Sequence, residues 1–287
     1  MMKSTLSPGS LYIVATPIGN FADISSQQVK VLSDVDVVLC ERPAHSARLF
    51  KYMGIQPKQV AKLTDHDKPN VLLRWIELIQ AGQSIACISD AGTPMISDPG
   101  ALLVRLAHEH AVKLVAVPGP SAVTTAVSIS GYAVHGYSFY GFLPAKKSAR
   151  QKMYASVAED DKVSVFFESP HRLAASLHDL QLVLGDDRQI MLLKELTKVH
   201  ETYWRDSIAN IVAGLADIVI KGEFVLLLAP VDKKYKSHDL NMDMSAVLTV
   251  LKAEGISLQQ AVVLAVKLTG ESKNTVYKLA LQLYAQA

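Results

Sequence analysis

Ile85-Ala86-Cys87-Ile88-Ser89-Asp90-Ala91-Gly92-Thr93-Pro94-Met95-Ile96-Ser97-Asp98-Pro99-Gly100 is the stretch on which the fold turns. Its first four residues are an unbroken apolar run, and periodic apolar residues resume at Leu102 and continue past Leu106. This pattern predicts a buried strand, a tight polar loop and then a helix. Asp90 stands at the carboxyl end of the strand, the edge where open α/β sheets bind ligands. A plain strand-to-helix turn, with Asp90 capping the helix behind it, explains the same residues. The functional reading is preferred because similar Gly/Pro/Ser/Thr loops follow other strands of the chain.

Upstream, Leu11-Tyr12-Ile13-Val14-Ala15 predicts a strand that runs into Thr16-Pro17-Ile18-Gly19-Asn20. Ser25 and Gln28 carry the spacing of a capping box ahead of a short helix. A strand over 35–40 ends at Glu41-Arg42-Pro43-Ala44-His45, and helices are expected over 46–53, stopped by Gly54, and over 69–81. Downstream, a helix to about 110 and a strand over 113–117 lead to Pro118-Gly119-Pro120-Ser121-Ala122, where another helix opens. Alternating strands and helices predict a mostly parallel sheet with helices on both faces. We therefore expect a first α/β lobe over 1–119.

The second half differs. Apolar strands are expected over 137–140, 163–167, 190–193 and 222–228, and 199–204 is expected to form a hairpin with the third of these. This predicts a smaller α/β lobe with a mixed sheet over 120–230. Residues 231–243 are polar, carry Lys233, Lys234, Lys236 and His238, and are expected to be a linker. Helices are expected over 244–253, 258–268 and 272–285, with Gly255 and Gly270 as the breaks. The last two have the cadence of a helix-turn-helix. Lys273, Asn274, Tyr277 and Lys278 lie near the start of its final helix, where base or phosphate contacts are made. A helical cap packed on the catalytic body is the other reading, and on sequence alone it is preferred.

A chain of 287 residues, 49% of them hydrophobic, can form two modest domains and an appendage. The net charge of +2 is too small to argue for nucleic acid, so any such case rests on local patches. Two cysteines, Cys40 and Cys87, close apolar runs and predict small buried hydrophobes in a reducing, cytoplasmic compartment. No apolar run approaches the roughly 18 residues of a membrane span. The first ten residues, with one lysine and no apolar core, are not expected to act as a signal peptide. No G-x-G-x-x-G follows the opening strand and no G-x-x-x-x-G-K-[ST] occurs, which argues against an ordinary dinucleotide site and excludes a P-loop. The histidines and cysteines show no metal-ligand spacing, so no metal is expected. What remains is a set of strand-end loops that bring backbone N–H and C=O groups close to a ligand. They suit a neutral or zwitterionic cofactor with a ribose and an amino-acid tail, and do not suit a polyphosphate.

Six motifs, in order, carry a resemblance: Val14-Ala15-Thr16-Pro17-Ile18-Gly19-Asn20, S-D-A-G-T-P with its D-P-G, V-P-G-P-S-A, G-F-L-P-A-K, F-F-E-S-P-H-R and K-E-L-T-K. From Leu11 to Leu228 the chain resembles the tetrapyrrole-methylase-like (class III) S-adenosylmethionine-dependent methyltransferases. The resemblance implies an α/β protein of two lobes with the cofactor in the cleft between them, usually as a homodimer, here followed by a small C-terminal helical segment. It implies S-adenosylmethionine contacts from Pro17, Ile18, Asp90, Gly92, Thr93, Ser121, Ala122, Phe167 and Leu196. Its wording is most similar to members that 2′-O-methylate a cytidine in the decoding centre of 16S rRNA within the small ribosomal subunit. One run departs from it: where the family has Glu-Asp-Thr-Arg-His-Thr, this chain has Glu41-Arg42-Pro43-Ala44-His45-Ser46. Either Arg42 supplies the missing positive charge from a neighbouring position, or substrate handling at this edge differs.

A ribose hydroxyl is a weak acid, so a nearby base or cation should assist its methylation. Candidates are Glu41, His45, Glu168, Lys194 and Glu195, with Glu41 and Lys194 the preferred pair. RNA contacts are expected from Lys146, Lys147, Arg150 and Lys152, from Lys198 and Arg205, and from the C-terminal helices, although ordinary solvated faces explain the same charges. Two other functions compete. A methylase of tetrapyrrole intermediates has the same fold, but the C-terminal extension and the Ala15–Asn20 wording count against it. A binding module that keeps the cleft without catalysis is favoured only by Arg42-Pro43-Ala44.

Overall fold

The computed structural model describes residues 6–132, 136–231, 244–269 and 271–285. Two compact units divide at Pro230 and Val231. The larger unit contains two five-stranded sheets.

The first sheet is built from β1 (Ser10–Val14), β2 (Val37–Cys40), β3 (Val60–Lys62), β4 (Ile85–Ile88) and β5 (Lys113–Val117). All its pairings are parallel and its order is β3-β2-β4-β1-β5. The connecting helices are α1 (Ser26–Asp34), α2 (Pro43–Met53), α3 (Pro69–Gln80) and α4 (Ala101–Glu109), and α5 (Ala122–Ile129) follows β5. β2 and β4 are buried at every residue, as expected for strands covered on both faces. Because the pairings are parallel, the loops after β1, β2, β4 and β5 emerge at one edge. There Gln28 does two jobs. It completes the capping box of α1 with Ser25, and its Nε2 donates to Ala15 O (2.8 Å) and Pro118 O (3.3 Å), joining the loops after β1 and β5.

The second sheet comprises β6 (Tyr137–Phe142), β7 (Val163–Glu168), β8 (Gln189–Lys194), β9 (Thr202–Ser207) and β10 (Phe224–Leu228) in the order β6-β7-β10-β8-β9. Only β6 and β7 run parallel, so the sheet is mixed, as expected. α6 (Lys147–Ser156), α7 (Leu173–Leu184) and α8 (Ile208–Ala213) pack on it around Tyr154, Phe166, Leu177 and Ile208.

The smaller unit has α9 (Met244–Ala253), α10 (Leu258–Thr269) and α11 (Lys273–Ala285), closed on a core that includes Leu248, Val262, Ala265 and Val276. Most of the expected linker, with Lys233, Lys234, Lys236 and His238, lies outside the described residues. Lys273, Asn274, Tyr277 and Lys278 are exposed on α11.

Several elements differ from expectation, including β2 and β10, each of which begins two residues later than expected. α2 begins at Pro43 rather than at residue 46, because proline is accommodated in the first helical turn, where its missing N–H costs nothing. β3 was not expected: it is a three-residue edge strand, partly exposed, with too little apolar sequence to announce itself. The hairpin partner of β8 starts at Thr202, three residues later than expected.

Candidate active site

The loops after β1 and β4 are stitched together by backbone and side chain. Thr16 N donates to Gly92 O (2.8 Å) and Gly92 N to Thr16 O (3.0 Å). Thr16 Oγ1 donates to Ser89 O (3.2 Å) and Ser89 Oγ to Gly92 O (3.0 Å). Thr93 Oγ1 then reaches Pro120 O (3.1 Å), adding the loop after β5. Gly92 has φ +82°, and a Cβ there would lie 3.2 Å from Ile18 Cγ2. Both facts favour glycine.

Against these loops stand the strand ends of the second sheet, and a cavity of about 340 Å³ lies between them. From the first sheet it is lined by Ile18, Ala91, Gly92, Thr93, Ile96, Ser97, Asp98, Ser121 and Ala122. From the second come Phe142, Phe167, Glu168, Ser169, Pro170, Leu193, Glu195, Leu196 and the segment 222–225. Phe167 is held edge-on between Phe139 and Phe142, with centroids 4.8 and 5.5 Å away.

Of the nine residues expected to hold the cofactor, Ile18, Gly92, Thr93, Ser121, Ala122, Phe167 and Leu196 line this cavity. Pro17 is buried behind Ile18 in sequence, and Asp90 immediately precedes the lining residues. Of the candidate bases and cations, Glu168 and Glu195 line it, whereas Glu41, His45 and Lys194 do not. Glu41 lies at the end of β2, His45 is exposed on the first turn of α2, and Lys194 ends β8, paired with Phe224 and Thr202.

Asp90 does not cap a helix. Its Oδ2 accepts from Arg42 Nε, while α4 starts eleven residues later, at Ala101 behind Gly100. Its Oδ1 is buried without a hydrogen-bond partner among the described residues, and so is Oε2 of Glu168. The other oxygen of Glu168, Oε1, accepts from Ser169 N, Arg172 Nε and Arg172 Nη2. A buried carboxylate oxygen left unpaired costs about 1–3 kcal/mol or more, so these two atoms call for a ligand that brings donors.

Two further acids shape the site's charge. Burial, then the negative fields of Glu41, Asp90 and Asp65, pushes Asp98 up to about 7. Burial also opposes the charge of Glu195, but the Lys198 ammonium (2.8 Å) and the Glu223 amide (2.9 Å) outweigh it and hold this carboxyl below its ordinary value. Glu195 is thus an ion-paired acid rather than a free base. Asp98 belongs to the D-P-G motif, yet nothing in the sequence names it as a site residue. The turn that carries it into the cavity uses left-handed Met95 (φ 67°) and Ser97 (φ 71°), non-glycine residues that give no sequence signal.

Four charges expected on an RNA surface have structural partners, exposed Lys147 among them with its Nζ 3.9 Å from Asp179 Oδ1. Arg150 is buried against Asp179, its Nε 2.9 Å from Oδ2, and also donates to Pro144 O and Ala145 O. Lys198 bridges Glu195 and Glu223. Arg205 donates to Ser130 O and lies over the Tyr132 ring. Lys146, Lys147 and Lys152 are exposed. Among the described residues no group of three or more His, Cys, Asp or Glu is placed to hold a metal ion, and no helix is long and apolar enough to cross a membrane.

A cavity between two α/β sheets, floored by Gly/Pro strand-end loops, is the architecture of a class of methyltransferases. The chain belongs to the Tetrapyrrole (Corrin/Porphyrin) Methylases, whose family model matches residues 10–212. Residues 238–283 match a second model, the RsmI C-terminal HTH domain. The chain is 38% identical over 278 residues to Ribosomal RNA small subunit methyltransferase I of Escherichia coli O157:H7, covering 96% of each protein. It is 39% identical over 279 residues to the protein of the same name from Pseudomonas aeruginosa, covering 96% of this chain and 98% of that one. Among solved structures it is similar to uroporphyrin-III C-methyltransferase from Thermus thermophilus complexed with S-adenyl homocysteine. There the TM-score is 0.53 at 16% identity, covering 78% of this chain and 99% of that one.

Proposed function

We propose that this protein methylates 16S rRNA of the small ribosomal subunit with S-adenosylmethionine, and that the acceptor is the 2′-hydroxyl of a cytidine in the decoding centre. The observation that carries the reading is the cavity itself. It sets apolar Ile18, Phe167 and Leu196 beside glycine backbone and next to carboxylate oxygens in need of donors. A ligand with an aromatic base, ribose hydroxyls and an ammonium group matches that mixture. Near-full-length identity to proteins named for small-subunit rRNA methylation supports the substrate.

In this reading Ile18, Gly92, Thr93, Ser121, Ala122, Phe167 and Leu196 hold the cofactor, with Pro17 behind them and Asp90 as a polar anchor. When bound, S-adenosylmethionine supplies an electrophilic methyl group. The protein's own task is to orient the acceptor oxygen, exclude water and take the hydroxyl proton. Glu41, just after β2 and four residues before His45 in sequence, stands on the first-sheet side, and its carboxylate is the group that receives the proton. Lys194 stands on the second-sheet side, where its ammonium stabilises the alkoxide as charge develops. The lobes are 1–119 and 120–230, with 244–287 as an RNA-contacting segment. The protein works in the cytoplasm as a homodimer.

The test is incubation with labelled S-adenosylmethionine and, in parallel, with small subunits from a strain lacking the modification and with a precursor tetrapyrrole. Label on a cytidine ribose of 16S rRNA is the expected result. Label on the tetrapyrrole, or on neither, overturns the reading.

A further inference from the structure

α2 bears no acidic residue. It buries Ser46, Leu49 and Phe50 and exposes His45, Arg48, Lys51 and Tyr52. His45, Arg48 and Tyr52 are spaced i, i+3 and i+7, so they form one stripe, with Lys51 at its margin. Among the described residues neither Arg48 nor Lys51 is in an ion pair. The stripe ends at a surface aromatic pair: Tyr52 is 54% exposed and its ring lies 5.3 Å from that of Phe21, tilted by 50°.

Phe21 also lines a shallow groove with Gly19, Asn20 and residues 197–200. The groove exists because two loops approach closely. A Cβ on Gly19 would lie 2.4 Å from Lys198 Cγ, and Asn20 N donates to Thr197 Oγ1 (3.2 Å). Its residues include no acid, and its far wall presents exposed His200 and Val199, the latter 97% exposed. Its location is informative. Ile18 and Leu196, the residues just before its two walls, line the active-site cavity, so the groove begins where the cavity opens.

We propose that this groove and the α2 stripe hold the single-stranded RNA flanking the acceptor nucleotide, with an unstacked base on the Phe21–Tyr52 pair and phosphates at Arg48 and Lys51. The inference rests on the rRNA-methylation reading and deepens it by naming the surface that seats the substrate. Single-stranded RNA is recognised by aromatic platforms interleaved with cations, and both elements meet here beside the cavity. Charge sets the choice of partner: an acid-free stripe of unpaired cations complements a polyanion, whereas a protein contact would be expected to carry mixed charge.

The experiment compares wild type with R48A/K51A and F21A/Y52A. It measures methyl transfer to small subunits lacking the modification, and binding to a single-stranded oligoribonucleotide of about ten nucleotides. Each pair of changes should raise KM for the subunit about tenfold while leaving kcat and cofactor affinity unchanged. R48A/K51A should also flatten the slope of log affinity against log salt by about 1.4, which F21A/Y52A should not do. Tyr52→Phe should retain wild-type KM. If F21A/Y52A fails to fold, R48A/K51A decides alone, because its side chains are exposed and unpaired. Unchanged KM and unchanged oligonucleotide binding in R48A/K51A overturn the proposal. Weakened subunit binding with unchanged oligonucleotide binding also overturns it, and assigns the stripe to a ribosomal protein. Absence of RNA methylation by the wild type defeats the underlying reading instead, and oligonucleotide binding still tests the groove.

Discussion

Arg42 donates through Nε to Oδ2 of Asp90, joining the loop after β2 to the loop after β4 across 48 residues of sequence. The two strands are neighbours in the sheet, which puts their carboxyl ends side by side. Arg42 stands where the family's wording has an acid. The departure therefore places a cation directly on the carboxylate that leads into the cavity floor.

Arg42→Ala should leave Asp90, 10% exposed at its side chain, with neither oxygen paired. Because Arg42 is itself 65% exposed, solvent screening limits the loss to about 1 kcal/mol. Denaturant midpoints should show that decrease, and calorimetry should show severalfold weaker S-adenosylmethionine binding. Arg42→Lys should recover part of both. Unchanged stability and affinity in Arg42→Ala would mean that the pair neither holds the loop nor shapes the site.

Asp98 gives the protein a pH dependence of definite sign. With its folded-state value up at about 7, the native protein keeps this proton where the unfolded chain has released it. Stability from this group therefore falls as pH rises from about 4 to about 7, and is level above that. Asp98→Asn imitates the protonated form. The variant should match wild type near pH 3 and exceed it at pH 8, as read from denaturant midpoints at each pH. A constant difference across the range would exclude Asp98 as the source.

Arg150 shows what a charge count misses. On sequence it opens a basic helix suited to phosphate contacts, yet it is buried against Asp179 with further bonds to two carbonyls. Arg150→Ala strands a buried carboxylate and should cost about 3–5 kcal/mol. Lys146→Ala and Lys152→Ala, at exposed positions of the same segment, should cost nothing measurable. If Arg150→Ala were as stable as wild type and lost only subunit binding, the residue would belong to the RNA surface after all.

The contrast between these residues shows what the sequence carried. The strand-end loops were legible because apolar runs broken by Gly and Pro report local backbone shape, and that shape collects Ile18, Gly92, Thr93, Ser121, Ala122, Phe167 and Leu196 around one cavity. The Arg42–Asp90 and Arg150–Asp179 pairs were not legible, because each depends on which strands or helices become neighbours. The place of Asp98 was hidden for a different reason: it is set by left-handed turns at Met95 and Ser97, where residue type gives no warning. β3 was missed because a three-residue edge strand with a polar end lacks a pattern.

The C-terminal helices offer the last decision. Val276 and Ala280 of α11 are buried in their own small core, while Lys273, Asn274, Tyr277 and Lys278 face outward at the start of that helix. The exposed face of this helix carries both cations and apolar surface, Tyr277 and Leu281 among it, so its affinity for a polyanion is open to test. K273A/K278A should lower affinity for the small subunit severalfold and reduce the salt slope by about 1.4, the amount for two phosphate contacts on a single strand. S-adenosylmethionine binding should be untouched, because residues 6–230 form a compact unit that contains the whole cavity. Removing residues 231–287 should produce the same division, with cofactor binding kept and subunit binding lost. Full subunit binding by both variants would reduce the helices to a structural cap and leave substrate capture to the groove beside the cavity.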